Sequence, residues 1–118
     1  MATFSRILLS GSTSGKSIKV VATSTPGTTI HTAVAGATSF DEVYLWVTNT
    51  DTVTRTLTLE WGGATDPDNL VTKAFSISAS SAPFPIVTGM VLNGGLVISA
   101  FASSASILLL TGYVNRIS

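Results

Sequence analysis

Short segments with strand character follow one another along the chain at intervals of about ten residues, a spacing typical of β-sandwiches and barrels. Thr and Val are frequent in these segments, and their β-branched side chains fit a pleated surface. Residues that favour helices are scarce, and Gln is absent. The pattern predicts an all-β chain, a single-domain antiparallel β-sandwich of about eight short strands with either a plain or a jelly-roll-like order.

Turn-forming residues set the bounds of the predicted strands. The strands are predicted over 17–23, 28–34, 40–49, 53–61, 71–78, 84–87, 90–92, 96–101 and 106–114. Two neighbouring pairs are predicted to be hairpins. The first joins 40–49 to 53–61 through a short polar connection. The second joins 90–92 to 96–101 through Asn93, Gly94 and Gly95, because Asn-Gly favours a primed turn.

The N-terminal segment differs from the rest in character, being rich in Ser and Gly around one apolar cluster. We predict that residues 1–16 form an extended N-terminal arm that orders on a partner, followed by the sandwich domain over 17–118. The alternative is that the segment contains a first edge strand. Its apolar stretch at residues 7–9 is shorter than the roughly 7–15 residues of a signal-peptide core.

The chain carries very little charge. Its formal net charge is zero, and 10% of its residues are charged, against about 25% in typical soluble domains. The cations are scattered, so no basic stripe for nucleic acid is predicted. Mean hydropathy is +0.51, and such a chain is prone to associate. The uncharged stretch 96–114 is long enough for a membrane helix, but its Ser and Gly residues favour two strands instead, so no membrane partner is predicted.

The two faces of individual strands show where partners are expected. In 53–61, one face is apolar around Leu57 and Leu59, and the other is predicted to face water with Thr54, Thr56, Thr58 and Glu60. Strand 40–49 is apolar on both faces, as are 96–101 and 107–114. A two-layer sandwich covers only one face of each sheet, so Tyr44 and Trp46 are predicted to meet another subunit or protein. The alternative is that a loop of the same chain covers them.

Little in the sequence supports catalysis or metal binding, since there is one histidine and no cysteine. His31 is predicted to be a hydrogen-bonded sheet residue, because no Gly-x-Ser-x-Gly elbow is present. Asp41 and Glu42 are adjacent in a strand and point to opposite faces, so they cannot share a proton; both are expected at an exposed strand start. We predict no catalytic residues, no cofactor and no metal site.

Two segments imitate ligand-binding motifs. Residues 10–17, SGSTSGKS, lack the first Gly of a phosphate-binding loop and lead into a strand rather than a helix, so they are predicted to be a flexible linker. Residues 66–69, Asp-Pro-Asp-Asn, lack the Gly and Glu of an EF-hand loop and are predicted to be a turn.

Several strings of the sequence resemble a group of small tailed-bacteriophage virion proteins, in particular capsid decoration (cement) proteins. They are GKSIKVVAT (15–23), TTIHTAV (28–34), DEVYLWVTNTDTVTRTLTLEWGG (41–63), DPDNL (66–70) and GYVNRI (112–117). The resemblance implies a β-sandwich on the capsid exterior, a homotrimer bound to the major capsid protein, assembled in the host cytoplasm. It implies no catalysis and no cofactor, and it defines no site residues.

The sequence therefore predicts a non-enzymatic virion structural protein that bridges capsomers. Its candidate partner interface combines the apolar cluster of the arm with the strand aromatics: Phe4, Arg6, Ile7, Leu8, Leu9, Tyr44 and Trp46. One alternative is a component of a phage tail or head fibre. Another is a carbohydrate- or surface-binding module, in which Tyr44, Trp46, Trp61 and Tyr113 would form a platform for sugars.

Overall fold

The computed structural model describes residues 3–80 and 82–118, and within these residues it is all-β. The strands are β1 (Phe4–Leu8), β2 (Ile18–Lys19), β3 (Thr28–Thr32), β4 (Phe40–Asn49), β5 (Arg55–Trp61), β6 (Leu70–Ile77), β7 (Phe84–Leu92), β8 (Val97–Ala102) and β9 (Leu108–Ile117). The described residues include no helix with the length and apolar character needed to span a bilayer. The predicted fold class is confirmed, and the stretch 96–114 forms β8, a turn and most of β9.

The strands form two antiparallel sheets that pack as a sandwich. Sheet A has the order β1-β9-β4-β7, and β2 also pairs with β9; sheet B has the order β3-β8-β5-β6. With β1 and β2 counted as one interrupted strand, the pairs nest along the chain: first with last, then β3 with β8, β4 with β7 and β5 with β6. This nesting is the strand order of a jelly roll.

The core lies between the sheets and consists of alternate residues of the central strands. Val43, Leu45 and Val47 of β4 have no exposed surface, and neither have Leu57 and Leu59 of β5. Each such side chain contributes roughly 1.5–3 kcal/mol through removal of apolar surface from water. Further core side chains are Leu9, Ile18, Val20, Ile30, Ile77, Val87, Ile98, Leu108, Leu110 and Val114.

Both predicted hairpins are wrong, because each of these pairs divides between the sheets. β4 pairs with β9 and β7, whereas β5 pairs with β6 and β8; likewise β7 lies in sheet A and β8 in sheet B. After β4, the Asn49 side chain turns the chain across the sandwich by donating from Nδ2 to the carbonyls of Val53 and Ile77, both at 3.0 Å. A turn that crosses the core and a turn that closes a hairpin require similar polar residues, so the local sequence does not separate them.

The second connection has a similar explanation. Gly94 and Gly95 both have positive φ, as the Asn-Gly signal suggests. Their amides donate to the carbonyls of Gly36 and Val34, at 2.9 and 3.0 Å, rather than closing a hairpin between β7 and β8. The turn chemistry was therefore predicted correctly, but its partner in space was not.

β7 is one strand where the sequence suggests two, 84–87 and 90–92. Gly89 takes φ of +93°, which Gly adopts at little cost, and the register with β4 shifts at this point between Val43 and Tyr44. The strand therefore continues through a bulge.

The N-terminal segment contains an edge strand, the alternative given above for part of 1–16. β1 pairs with β9 from Phe4 opposite Ile117 to Leu8 opposite Tyr113. Beyond it, Gly11 donates its amide to Ile30 at 2.9 Å, and Ser10 accepts the amide of Thr32 at 2.7 Å. The start of segment 10–17 is thus attached to sheet B rather than being a flexible linker, and residues 1–2 of the predicted arm lie outside the described residues.

Candidate association surface

The side of sheet A that faces away from the core is aromatic and apolar. We call it the outer face and define it by the outward residues of β1, β9 and β4: Phe4, Arg6, Leu8, Leu109, Thr111, Tyr113, Asn115, Ile117, Phe40, Glu42, Tyr44, Trp46 and Thr48. Along β4, buried and partly exposed residues alternate from Asp41 to Asn49, as the period of two in a strand requires. Tyr44 and Trp46 are among the partly exposed residues of this alternation, so they lie on the outer face.

Three aromatic rings meet at its centre. Tyr44 and Tyr113 stand opposite each other in the β4–β9 ladder, and their rings stack with centroids 5.0 Å apart at 20°. The centroid of the Trp46 ring lies 6.0 Å from the centroid of the Tyr113 ring. Arg6 reaches diagonally from β1, and its guanidinium carbon lies 4.7 Å from the centroid of the Tyr113 ring. The Tyr113 ring therefore has Tyr44 and Arg6 as neighbours on the two adjoining strands.

Polar contacts hold the centre in place. Tyr44 donates its hydroxyl to Glu42 Oε1 at 2.9 Å, and Asn115 donates from Nδ2 to the same oxygen at 3.3 Å. The hydrogen bond to Glu42 raises the pKa of the Tyr44 hydroxyl, so it stays protonated at neutral pH. The centre is thus preorganised, which lowers the entropic cost of binding.

Apolar side chains extend the face toward one end of the sheet. Phe4, Ile117 and Phe40 form one cross-strand row. Phe4 is 70% exposed, Leu8 55% and Phe40 36%. Large apolar side chains grouped on one face in this way are typical of interaction surfaces.

The structure brings together five of the seven residues predicted for the interface. Phe4, Arg6, Leu8, Tyr44 and Trp46 lie on the outer face, so the predicted arm and the predicted strand aromatics belong to a single surface. Ile7 and Leu9 do not. Ile7 packs against the core, and Leu9 is 2% exposed, because alternate residues of an edge strand point inward.

Sequence reasoning missed part of this surface. Tyr113 appears there only as a candidate for sugar binding, and Phe40, Glu42 and Ile117 were not included. Alternation in 108–117 could have indicated Tyr113 and Ile117, since the buried Leu108, Leu110 and Val114 have the opposite parity.

The outward side of sheet B is different, and its predicted wet face is wrong in part. Thr58 is 5% exposed and Glu60 is fully buried. Glu60 accepts hydrogen bonds from the Ser99 hydroxyl at 2.5 Å, the Thr25 hydroxyl at 2.6 Å and the Gly27 amide at 2.8 Å. The turn before β3 therefore covers this carboxylate.

Gly27 is required for that cover. A Cβ at this position would lie 2.5 Å from backbone atoms of Ala100, so only Gly brings the turn this close. Burial of Glu60 opposes its ionisation, but the hydrogen bonds from Ser99, Thr25 and Gly27 outweigh this and lower the pKa of the carboxyl.

A second buried polar cluster joins the two sheets. His31 of β3 is 1% exposed and Asp41 of β4 is fully buried, so the expected exposed strand start is wrong for Asp41. His31 Nε2 lies 2.8 Å from Asp41 Oδ2, and Arg116 donates to both carboxylate oxygens at 2.8 and 3.0 Å. The Ser10 amide donates to His31 Nδ1 at 3.0 Å, which places the ring proton on Nε2, directed at Asp41.

This cluster has a structural role. Burial of Asp41 opposes its ionisation, but Arg116 and His31 outweigh the effect and hold the pKa of Asp41 below its usual value. Both ring nitrogens of His31 are engaged and the ring is buried, so it offers no accessible base to a substrate. The prediction of a hydrogen-bonded sheet histidine is confirmed.

Three other features of the described residues bear on ligand binding. No group of three or more His, Cys, Asp or Glu side chains is placed there to hold a metal ion. Asp66, from the predicted turn, pairs with Lys73 at 2.8 Å. An apolar cleft of about 340 Å³ opens beside Phe75 and Phe84 at the edges of β6 and β7.

Comparison of the chain with protein-family models, with curated proteins and with solved structures finds no match.

Proposed function

We propose that this chain is a non-enzymatic virion structural protein, a capsid decoration protein that associates through the outer face. The observation that supports it best is the preorganised cluster of Arg6, Tyr44, Trp46 and Tyr113, flanked by the exposed side chains of Phe4 and Leu8. Aromatic residues and Arg are the residue types most enriched in binding hot spots.

The strand order supports the same proposal by analogy. Jelly rolls are used in viral capsid and lectin domains, among others, although a fold alone does not define a function. The resemblance of the sequence strings to decoration proteins supports the viral use in this proposal. A small, weakly charged domain gains from repetition, since many identical contacts on a symmetric shell combine through multivalency.

A carbohydrate-binding module is the second candidate, because three of its four proposed aromatics, Tyr44, Trp46 and Tyr113, lie together. Trp61 does not join them, since it packs against the core. Sugar binding uses open ring faces, whereas the Tyr113 ring has the guanidinium of Arg6 and the ring of Tyr44 as neighbours. This arrangement favours a protein partner over a sugar.

Co-sedimentation with purified tailed-phage heads stripped of decoration proteins tests the proposal. We expect the wild-type chain to pellet with heads and Trp46→Ser to remain in the supernatant. Phe75→Ser is the matched control, because Phe75 is an exposed aromatic of sheet B, 40% exposed and away from the outer face. Wild-type protein that ignores heads and binds on a glycan array would replace this proposal with the second candidate.

A further inference from the structure

The outer face carries a pattern of charge and apolar groups that is complementary to itself. Across β1, β9 and β4 the outward residues fall into three rows, with β9 in the middle: Phe4–Ile117–Phe40, Arg6–Asn115–Glu42 and Leu8–Tyr113–Tyr44. Arg6 and Glu42 thus lie on opposite sides of β9, two strand spacings apart, which is about 10 Å.

We propose that the outer face binds a second copy of this chain around a two-fold axis that runs parallel to β9. This inference rests on the proposed function and deepens it by naming the occupant of the outer face. The face is buried between the two copies and the shell is met by the remaining surface of the pair, so Trp46→Ser would lower binding to heads by separating the pair. The axis exchanges the positions of β1 and β4 between the copies. Arg6 of each copy then faces Glu42 of the other, Phe4 faces Phe40, and Leu8 faces Tyr44.

The charges select this axis over its alternative. A two-fold axis in the same plane but perpendicular to the strands would set Arg6 against Arg6 and Glu42 against Glu42. Like charges in direct opposition suppress association, whereas opposite charges fix the register of an interface. Either axis keeps the strands of the two copies aligned, which is a common arrangement of packed sheets, so the charges alone make the choice.

The size of the face suits a pair. The outer face has three strands, and two of them, β4 and β9, have ten residues each. At about 4.8 Å between strands and 3.4 Å per residue, the three strands span roughly 500 Å² in projection. Side-chain relief adds to this, and a standard interface takes about 800 Å² from each partner. A face-to-face pair therefore reaches the lower end of the range of specific complexes.

The pairing differs from the homotrimer that the resemblance implies. In a two-fold pair the same contact occurs twice, so both Arg6 side chains and both Glu42 side chains are matched. A three-fold arrangement would not set these faces against each other in this way. The mass of the assembly separates the two arrangements.

Charge reversal tests the inference by analytical ultracentrifugation of the full chain over a range of concentrations. The wild-type protein is expected at twice 12.1 kDa. Arg6→Glu and Glu42→Arg are each expected at the monomer mass, because each opposes like charges at both contacts. An equimolar mixture of the two variants is expected to return to the two-chain mass, because the mixed pair regains opposite charges at both contacts.

The mixture is also the control for folding, since a variant that failed to fold would not be rescued. Lys73→Glu, on sheet B, is expected to keep the two-chain mass. A monomeric or three-chain wild type, or a mixture that stays monomeric, would overturn the pairing. A wild-type monomer that pellets with phage heads would overturn the pairing and support the proposed function. A two-chain wild type that does not pellet with heads would support the pairing and overturn the proposed function.

Discussion

The outward sides of the two sheets differ in a way that the composition of their strands would not suggest. On sheet B, the central strand β5 presents Thr and Glu, yet Thr58 is nearly buried and Glu60 fully so. On sheet A, the central strand β4 presents Tyr44 and Trp46, yet these stay partly exposed. The chain covers Thr58 and Glu60 of its polar face and leaves its aromatic face open.

The difference shows that hydrogen-bond partners, and not hydrophobicity, decide which of these side chains is buried. Glu60 is satisfied by two hydroxyls and an amide of the surrounding chain, as a buried carboxylate must be. The contacts described for the aromatic centre come from its own sheet, from Glu42, Asn115 and Arg6. Side chains that are ordered but partly open are suited to a partner.

The largest expected effect separates the two tryptophans. Trp61 is partly buried and packs against the core. Trp61→Ser is expected to lower the free energy of unfolding by about 3 kcal/mol, at the lower end of the range for truncation of a core aromatic. Trp46→Ser removes a ring contact on the outer face and is expected to lower it by about 1 kcal/mol while abolishing association. Urea denaturation measures both, and equal losses would mean that the outer face is as much a part of the core as the inner one.

A smaller effect separates the two outward carboxylates. Glu60→Gln replaces one accepting oxygen by an NH2 group, so the Gly27 amide or a hydroxyl loses its acceptor. The substitution is expected to lower the free energy of unfolding by about 2 kcal/mol. Glu42→Gln, on the open face, is expected to change it by less than about 0.5 kcal/mol. Thermal unfolding of both variants at neutral pH is the measurement, and similar losses would remove the contrast between the faces.

The same carboxylate gives a pH dependence. The pKa of Glu60 is lowered in the folded state, so its stabilising contribution is complete above the unfolded value of about 4.3 and is lost as the pH falls through the folded value. The stability advantage of wild type over Glu60→Gln should therefore shrink below about pH 4. A difference that stays constant from neutral to acidic pH would show that the ionised form of Glu60 is not what the covering turn stabilises.

The smallest expected effect on folding concerns the rim of the outer face. Phe4 is 70% exposed, so Phe4→Ser should change the free energy of unfolding by less than about 0.5 kcal/mol while weakening self-association about tenfold, or roughly 1.4 kcal/mol. Val53→Ser, at an exposed apolar residue between β4 and β5, is the control. Sedimentation equilibrium on the two variants checks this, and equal association would place Phe4 outside the interface.

The sequence predicted the bounds of the strands better than the pairing between them. The bounds of β4 were predicted in full, because a ten-residue alternation between turn residues leaves little choice. Both hairpins were wrong, since Asn49 and the Gly94–Gly95 pair find their hydrogen-bond partners in distant segments. Ile7 and Leu9 were placed in the interface because an isolated edge strand has too few residues to show which parity faces inward.

The sequence by itself determined that the chain is all-β, that its strands are short, and that some of them are apolar on both sides. These properties depend on side-chain branching, turn propensity and a period of two, all of which are local. Only the tertiary structure decided which sheet each strand joins, that Glu60 is covered while Tyr44 is open, and that Arg6 meets Tyr113. Such outcomes depend on contacts between residues far apart in the chain, and the hydrogen bonds and packing that decide them exist only once both sheets have formed.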